Sequence, residues 1–438
     1  MIMDSDSARG VNRRRLLGWG GLAAGMVAGA PLLGAQLGNT ASAATDPGPS
    51  GDDRIPPGTR PGGAYDRYVA KLAAAGQFSG VVLLSHRGRT VLSRSYGMAD
   101  KEKGIPNSER VAFNLSSGSQ PFGAVAILQL AQQGKLQLSD TVGAHLTGYA
   151  KDIAEQVTIH QLLTSTSGLS DSEVDVRRIF YSRKEVHDFL QRWTRQAKLV
   201  AVPGAGFNTH SDGAGAALNI AAQIVEAVTG TTFWDYIQEH VFGRCGMTGS
   251  AFYTRPQWLT DRHIAHPYMT LADGSQVDAI RNLDQGSPFP DELGKNPGRS
   301  FIGDAGGGGF ATAPDLVRFA HALDDGMVLD RPYAELLTGA KIPQGGAQGG
   351  AQEGQPAPAY PSFMAYTMPV HIIKGQWVPG RAGANPGVGA SWNIYSGTGW
   401  VGVILANCDS GALSEMSQQE IQAVTGQPAS SGGGGAGG

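Results

Sequence analysis

The chain has few cysteines, few charges and no long unbroken apolar run, and each scarcity excludes a class of protein. Two cysteines, Cys245 and Cys408, in 438 residues cannot form a disulfide framework. We read them as two separate buried thiols, although an oxidising compartment would permit a bridge. Charged residues make up 16% of the chain and nearly balance at a net −3, so there is no basic face for nucleic acid or for an acidic membrane surface. The one apolar stretch near the N-terminus is broken by Gly18, Gly20, Gly21, Gly25, Gly29, Pro31 and Gly34, which argues against an anchor helix.

That stretch fits an export signal instead. A charged segment ends in Arg13-Arg14-Arg15-Leu16-Leu17, the Gly-rich apolar run follows, and Ala41-Ser42-Ala43 supplies the small residues a signal peptidase needs. We expect residues 1–43 to be a twin-arginine signal, leaving a protein that folds in the cytoplasm and works in the periplasm or outside the cell. No cysteine lies near the cleavage point for a lipid anchor, and no stable membrane insertion is expected afterwards.

Residues 44–62, rich in Pro and Gly, read as a flexible lead-in, and the Gly-rich residues 429–438 as a tail. Between them, 63–428 is long enough for one large mixed unit. "GVVLLSH" and "TVLSRSYG" are two β-rich runs joined by Arg-Gly, and residues 121–134 have the spacing of an amphipathic helix. Helical signals dominate 155–250. "GASWNIYSG" and "GWVGVILAN" read as a second hairpin, "ALSEMSQQEIQAVTG" as a last helix, and 343–361 as a low-complexity surface loop. Strands at both ends with helices between predict an α/β (α+β) fold: one antiparallel sheet built from both chain ends, flanked by helices, with a helical lobe inserted over about 122–260.

Several segments are similar, in order, to one family. "FNLSSGSQPFGAVAILQLAQQGKLQLSD" resembles the active-serine segment of class C serine β-lactamases and of related penicillin-binding proteins and esterases. "VTIHQLLTSTSGL", "AAQIVEAVTGTTFWDYIQEHVFGRCGMTGSAF", "DAGGGGFATAPDLVRFAHAL" and "GRAGANPGVGASWNIYSGTGWVGVILAN" resemble later segments of the same β-lactamase/transpeptidase-like fold.

The resemblance implies Ser117 as nucleophile. The family's lysine stands three residues on, on the same helix face, and here that place holds Gln120. An amide can hydrogen-bond a serine but cannot take its proton, and losing a positioned base costs roughly 100- to 10,000-fold in rate. No other lysine lies three after a serine. The second motif, Tyr-x-Asn, has its best counterpart in His210-Ser211-Asp212, although alignment on Phe207 would put Thr209 at the tyrosine place. In the first alignment His210 is a substitute base and Asp212 holds a substrate amide or orients the imidazole. An ordinary polar loop is the other reading. The third motif becomes Arg381-Ala382-Gly383, an arginine suited to a substrate carboxylate but not to base catalysis. Gly383 would let the substrate approach, and the Ala384 N–H would join the Ser117 N–H as oxyanion donor.

The family's His-Thr-Ser-Gly-Leu also departs, to Ser165-Thr166-Ser167-Gly168-Leu169. "GDAGGGGF" lacks the Lys-Ser/Thr of a phosphate loop and reads as a close-packed turn. His263-x-x-His266 lacks a patterned third ligand and reads as a solvated loop, so no metal and no cofactor is expected.

Two readings stay open. One is an exported serine hydrolase or acyltransferase of changed mechanism, acting on an amide, ester or peptide that carries a carboxylate near Arg381. The other is a catalytically inactive relative that binds a ligand or cell-wall fragment in the same cleft.

Overall fold

The computed structural model describes residues 55–206, 214–344, 360–409 and 411–426. Residues 1–43, read above as an export signal, the Gly-rich tail, most of 343–361, and the residues His210 and Asp212 lie outside the described residues.

The central sheet has eight strands, two from the N-terminal part and six from the C-terminal part. We number the elements used below in chain order. The strands are β1 (Gly80–His86), β2 (Arg89–Tyr96), β3 (Phe113–Asn114), β4 (Phe310–Ala311), β5 (Ile342–Gln344), β6 (Ser362–Met364), β7 (Pro369–Ile373), β8 (Gln376–Asn385), β9 (Val388–Tyr395) and β10 (Trp400–Ala406). The helices are α1 (Ala64–Ala74), α2 (Gln120–Gln132), α3 (Arg183–Thr194), α4 (Ala214–Thr229), α5 (Ala313–Asp324), α6 (Arg331–Thr338) and α7 (Leu413–Thr425). The sheet order is β5-β6-β7-β8-β9-β10-β1-β2, antiparallel throughout, with β3 and β4 paired apart from it.

β1 and β10 are buried along their whole length because both faces of the sheet are covered. Val81 and Leu83 enter one core with α2, α4 and α5, while Val82 and Leu84 enter a second core under α1 and α7. Register Gly80↔Ala406 through His86↔Trp400 closes the ends of the chain onto each other. Cys245 sits in the first core and Cys408 in the second, both as free thiols.

Three expectations need revision. α2 is not amphipathic: residues from Gln120 to Leu130 are buried nearly all round, since the helix runs through the middle of the first core. Ile342–Gln344 is an edge strand rather than the start of a loop. His266 is also no solvated loop residue. It is buried, its Nδ1 is 2.7 Å from Asp278 Oδ2 and 3.1 Å from Arg281, whereas His263 is exposed and faces Asp261.

Candidate active site

Ser117 stands in a single 3-10 turn, Ser116–Ser119, that feeds directly into α2. The turn is held from three sides. Leu115 N donates to Gly309 O at 2.8 Å and Gly308 N to Ser116 O at 3.0 Å, so the glycine run after Asp304 lies along its backbone. Trp392 Nε1 donates to Gly118 O at 3.0 Å from β9. From β8, Ser116 Oγ donates to Ala384 O at 2.9 Å, and Asn385 Nδ2 donates to Ser116 Oγ at 2.8 Å.

These contacts hold Ser116 at φ 48°, a left-handed conformation that costs a non-glycine residue on the order of 1 kcal/mol or more. Strain immediately before a candidate nucleophile fits a backbone set for positioning. Two glycines are fixed by close approach. A Cβ on Gly383 would lie 2.3 Å from Leu115 O and 2.6 Å from Ser117 N, and one on Gly307 would lie 2.9 Å from Ser116 C. The glycine run is thus a close-packed turn, and its tightness brings β8 onto the backbone of Ser117.

A cleft of about 540 Å3 opens over this turn. Ser117, Ala384 and Asn385 line it, together with Asp304 and the glycines that follow. Ser117 is half-buried in its floor, while Ser116, Ser119 and Gln120 are buried behind it. At a helix start, backbone N–H groups and the helix dipole favour negative charge developing in that floor.

Gln120 and Arg381 meet behind the serine. Gln120 Nε2 donates to Gly306 O at 2.8 Å, and its Oε1 accepts from Arg381 Nη2. Arg381 Nε donates to Ser117 O at 3.3 Å. The arginine read as the third motif's cation therefore contacts the residue that stands at the lysine position of the first. Among the described residues it meets neutral oxygens only, with no carboxylate within ion-pair range. Burial pushes its pKa down to about 10, which leaves it charged at neutral pH and unable to act as a base there. Two of its five N–H groups are thus engaged in the wall, which sets its charge beside Ser117.

Sequence reasoning brought Ser117, Gln120, Arg381, Gly383 and Ala384 to one place, and the structure assembles all five. It passed over Ser116, Asn385 and Asp304. Asp304 Oδ1 accepts from Gly306 N at 2.7 Å and Asn219 Nδ2 at 3.2 Å, and burial raises its pKa. Its signal was its position at the head of a glycine run already singled out. Ser165 adopts a left-handed turn at φ 59°, and it is not among the described residues that line the cleft.

The β-lactamase family model matches residues 65–426. The chain belongs to the β-lactamase family. It is 26% identical over 260 residues to esterase EstB of Burkholderia gladioli, covering 56% of this chain and 64% of that protein. It is 27% identical over 252 residues to penicillin-binding protein 4* of Bacillus subtilis, covering 56% of this chain and 52% of that one. The match thus spans less than two thirds of either relative. A penicillin-binding protein from Bacillus halodurans has a crystal structure that superposes with a TM-score of 0.64 at 26% identity, covering 81% of this chain and 98% of that chain. These family relatives include a hydrolase and proteins that bind penicillin through this fold. Among the described residues, no helix is long and apolar enough to cross a membrane.

Proposed function

We propose that this family member is an exported serine hydrolase or acyltransferase that acts on an amide, ester or peptide through Ser117. The observation that carries the reading is the serine itself. It is retained on a strained, triply anchored turn, and it opens into a cleft with Ala384 beside it. An esterase among the relatives supports an acyl-group substrate, and the sequence of residues 1–43 supports export.

In this mechanism Ser117 Oγ attacks the carbonyl carbon, and the developing oxyanion is taken by the N–H groups of Ser117 and Ala384. Arg381, without a carboxylate partner among the described residues and bonded to the Ser117 carbonyl, adds positive charge beside the same peptide unit. Gln120 cannot take the proton, because both ends of its amide are engaged and neither is basic. His210 takes the serine proton and returns it to the leaving alcohol or amine. Water or an acceptor amine or alcohol then attacks the acyl-enzyme and frees Ser117.

A second reading is favoured by one observation. Among the described residues, no hydrogen bond joins Ser117 Oγ to any base. An inactive relative would use the same cleft to hold a ligand or wall fragment.

Intact-mass labelling of the mature chain with a fluorophosphonate separates the two. The hydrolase reading expects a single adduct, lost in Ser117→Ala and strongly slowed in His210→Ala. A cooperatively folded protein that takes no adduct would leave the ligand-binding reading.

A further inference from the structure

The wall of the Ser117 cleft continues into a second cavity of about 770 Å3, and the two share Val176 and Arg299. Two loops build this continuation, one around residues 171–180 and the other around 283–299. Arg299 ties them together. Its Nη1 donates to Val176 O at 2.9 Å and to Gly294 O at 2.6 Å, Nε to Leu283 O at 2.8 Å, and Nη2 to Gln285 O at 2.8 Å. The side chain is buried, and its burial lowers its pKa without removing its charge. A fifth bond runs from Nη2 to Asp284 O at 3.4 Å, and five hydrogen bonds to backbone carbonyls make it a staple, not a ligand-binding cation.

Among exposed charges such as Asp175, Arg177, Asp284 and Asp291, the two loops also hold apolar side chains out to solvent. Val174, Val176, Phe289 and Leu293 are among the most exposed large apolar residues of the chain, with Leu293 at 66%. Val176 packs on Gly294, where its Cγ2 would be 3.4 Å from an added Cβ. Ile179 and Leu283 line the second cavity beside them. Single exposed apolar side chains need no explanation. Val174 lines the cleft whose floor is the serine, Val176 lines both cavities and Leu293 the second, so these three mark a track leading away from that serine.

We propose that this track is an acyl-chain subsite, and that the substrate of Ser117 carries an apolar chain running over Val176 into the second cavity. The inference rests on the hydrolase reading for its chemistry, but the subsite stands on its own geometry. A chain lying there would bury apolar surface on both partners, each added methylene strengthening binding. Arg299 is a positioning residue in this scheme, since it touches the loops and not the chain.

The test compares two fluorophosphonates, O-ethyl and O-decyl, in their rates of labelling Ser117. The decyl probe is expected to react at least about tenfold faster, since even partial burial of its extra methylenes supplies that much. In Val176→Asp and Leu293→Asp proteins the decyl-to-ethyl ratio is expected to fall toward one. Equal rates in the parent protein would overturn the subsite while leaving the reactive serine intact. Labelling by neither probe would instead refute the hydrolase reading. In that event Ser117→Ala protein titrated with 11-(dansylamino)undecanoate decides the subsite. Saturable binding weakened by Val176→Asp supports it, and no binding overturns it.

Discussion

Two half-buried arginines of this protein, Arg281 and Arg381, have opposite surroundings. Arg281 is wrapped in carboxylates: Asp100 at 2.9 Å, Asp278 at 2.5 Å and Glu102 at 2.8 Å, with His266 against the same Asp278. The hydrogen bonds that Arg281 donates to Asp100 raise its pKa well above its usual value. Burial would raise the Asp100 carboxyl, but Arg281, the Lys103 N–H and His266 together hold it well below the usual range. Arg381, by contrast, has only the Gln120 amide and the Ser117 carbonyl among the described residues, and burial lowers its pKa. A cation that serves the fold is neutralised where it lies. One that meets no counter-charge among the described residues, against the backbone of a candidate nucleophile, is better explained by the chemistry it can support.

The largest expected effect comes from breaking the compensated site. Arg281→Met leaves the buried Asp100 and Asp278 without their guanidinium, and should destabilise the fold by about 3–5 kcal/mol in urea unfolding. A loss below about 1 kcal/mol would mean that the cluster is not the structural half of the contrast.

Glu420 extends the contrast to an acid without a cation. It lies on the buried face of α7, and its Oε1 accepts from Tyr395 OH at 2.8 Å and Asn393 Nδ2 at 3.1 Å. Burial raises its pKa from 4.5 to about 7. The folded state therefore holds a proton that the unfolded chain releases. Stability should fall as pH climbs from about 4.5 to about 7, then stay level. Glu420→Gln should remove this slope, gaining about 2–3 kcal/mol at pH 8 and little at pH 4. Parallel stability–pH curves for the two proteins would rule it out.

Much of the fold was legible because it rests on local pattern. The β1–β2 hairpin is announced by two apolar runs around Arg87-Gly88, and β9–β10 by the same signal, and both pair as read. α2 was placed within two residues of its ends, but its apparent outer face was misjudged, since a helix covered on every side has no outer face to read. The edge strands β5 to β7 escaped notice because Pro343 and Pro369 and the neighbouring Gly/Gln-rich run hide short strands. The site residues came from motif order. The Gln120–Arg381 contact joins positions 261 residues apart, and nothing local to either predicts it. The stapling role of Arg299 was equally hidden, because its partners are backbone carbonyls, which carry no sequence signal.

A smaller effect sharpens the uncompensated side. Gln120→Lys restores the family's residue but sets an ammonium against Arg381, and like charges there should cost about 1–2 kcal/mol. Combining it with Arg381→Met should recover most of that loss, giving a coupling a double-mutant cycle can read. Additive losses would show that the two side chains do not share one site.

The most direct test is Arg381→Met, followed by both melting and fluorophosphonate labelling. Replacing an uncompensated cation by an apolar chain of similar length should change stability by no more than about 1 kcal/mol. Labelling of Ser117 should nevertheless slow about 100-fold, because the charge beside its peptide unit is gone. A variant that labels at the parental rate, or that unfolds as readily as Arg281→Met, would contradict the assignment of Arg381 to chemistry rather than to the fold.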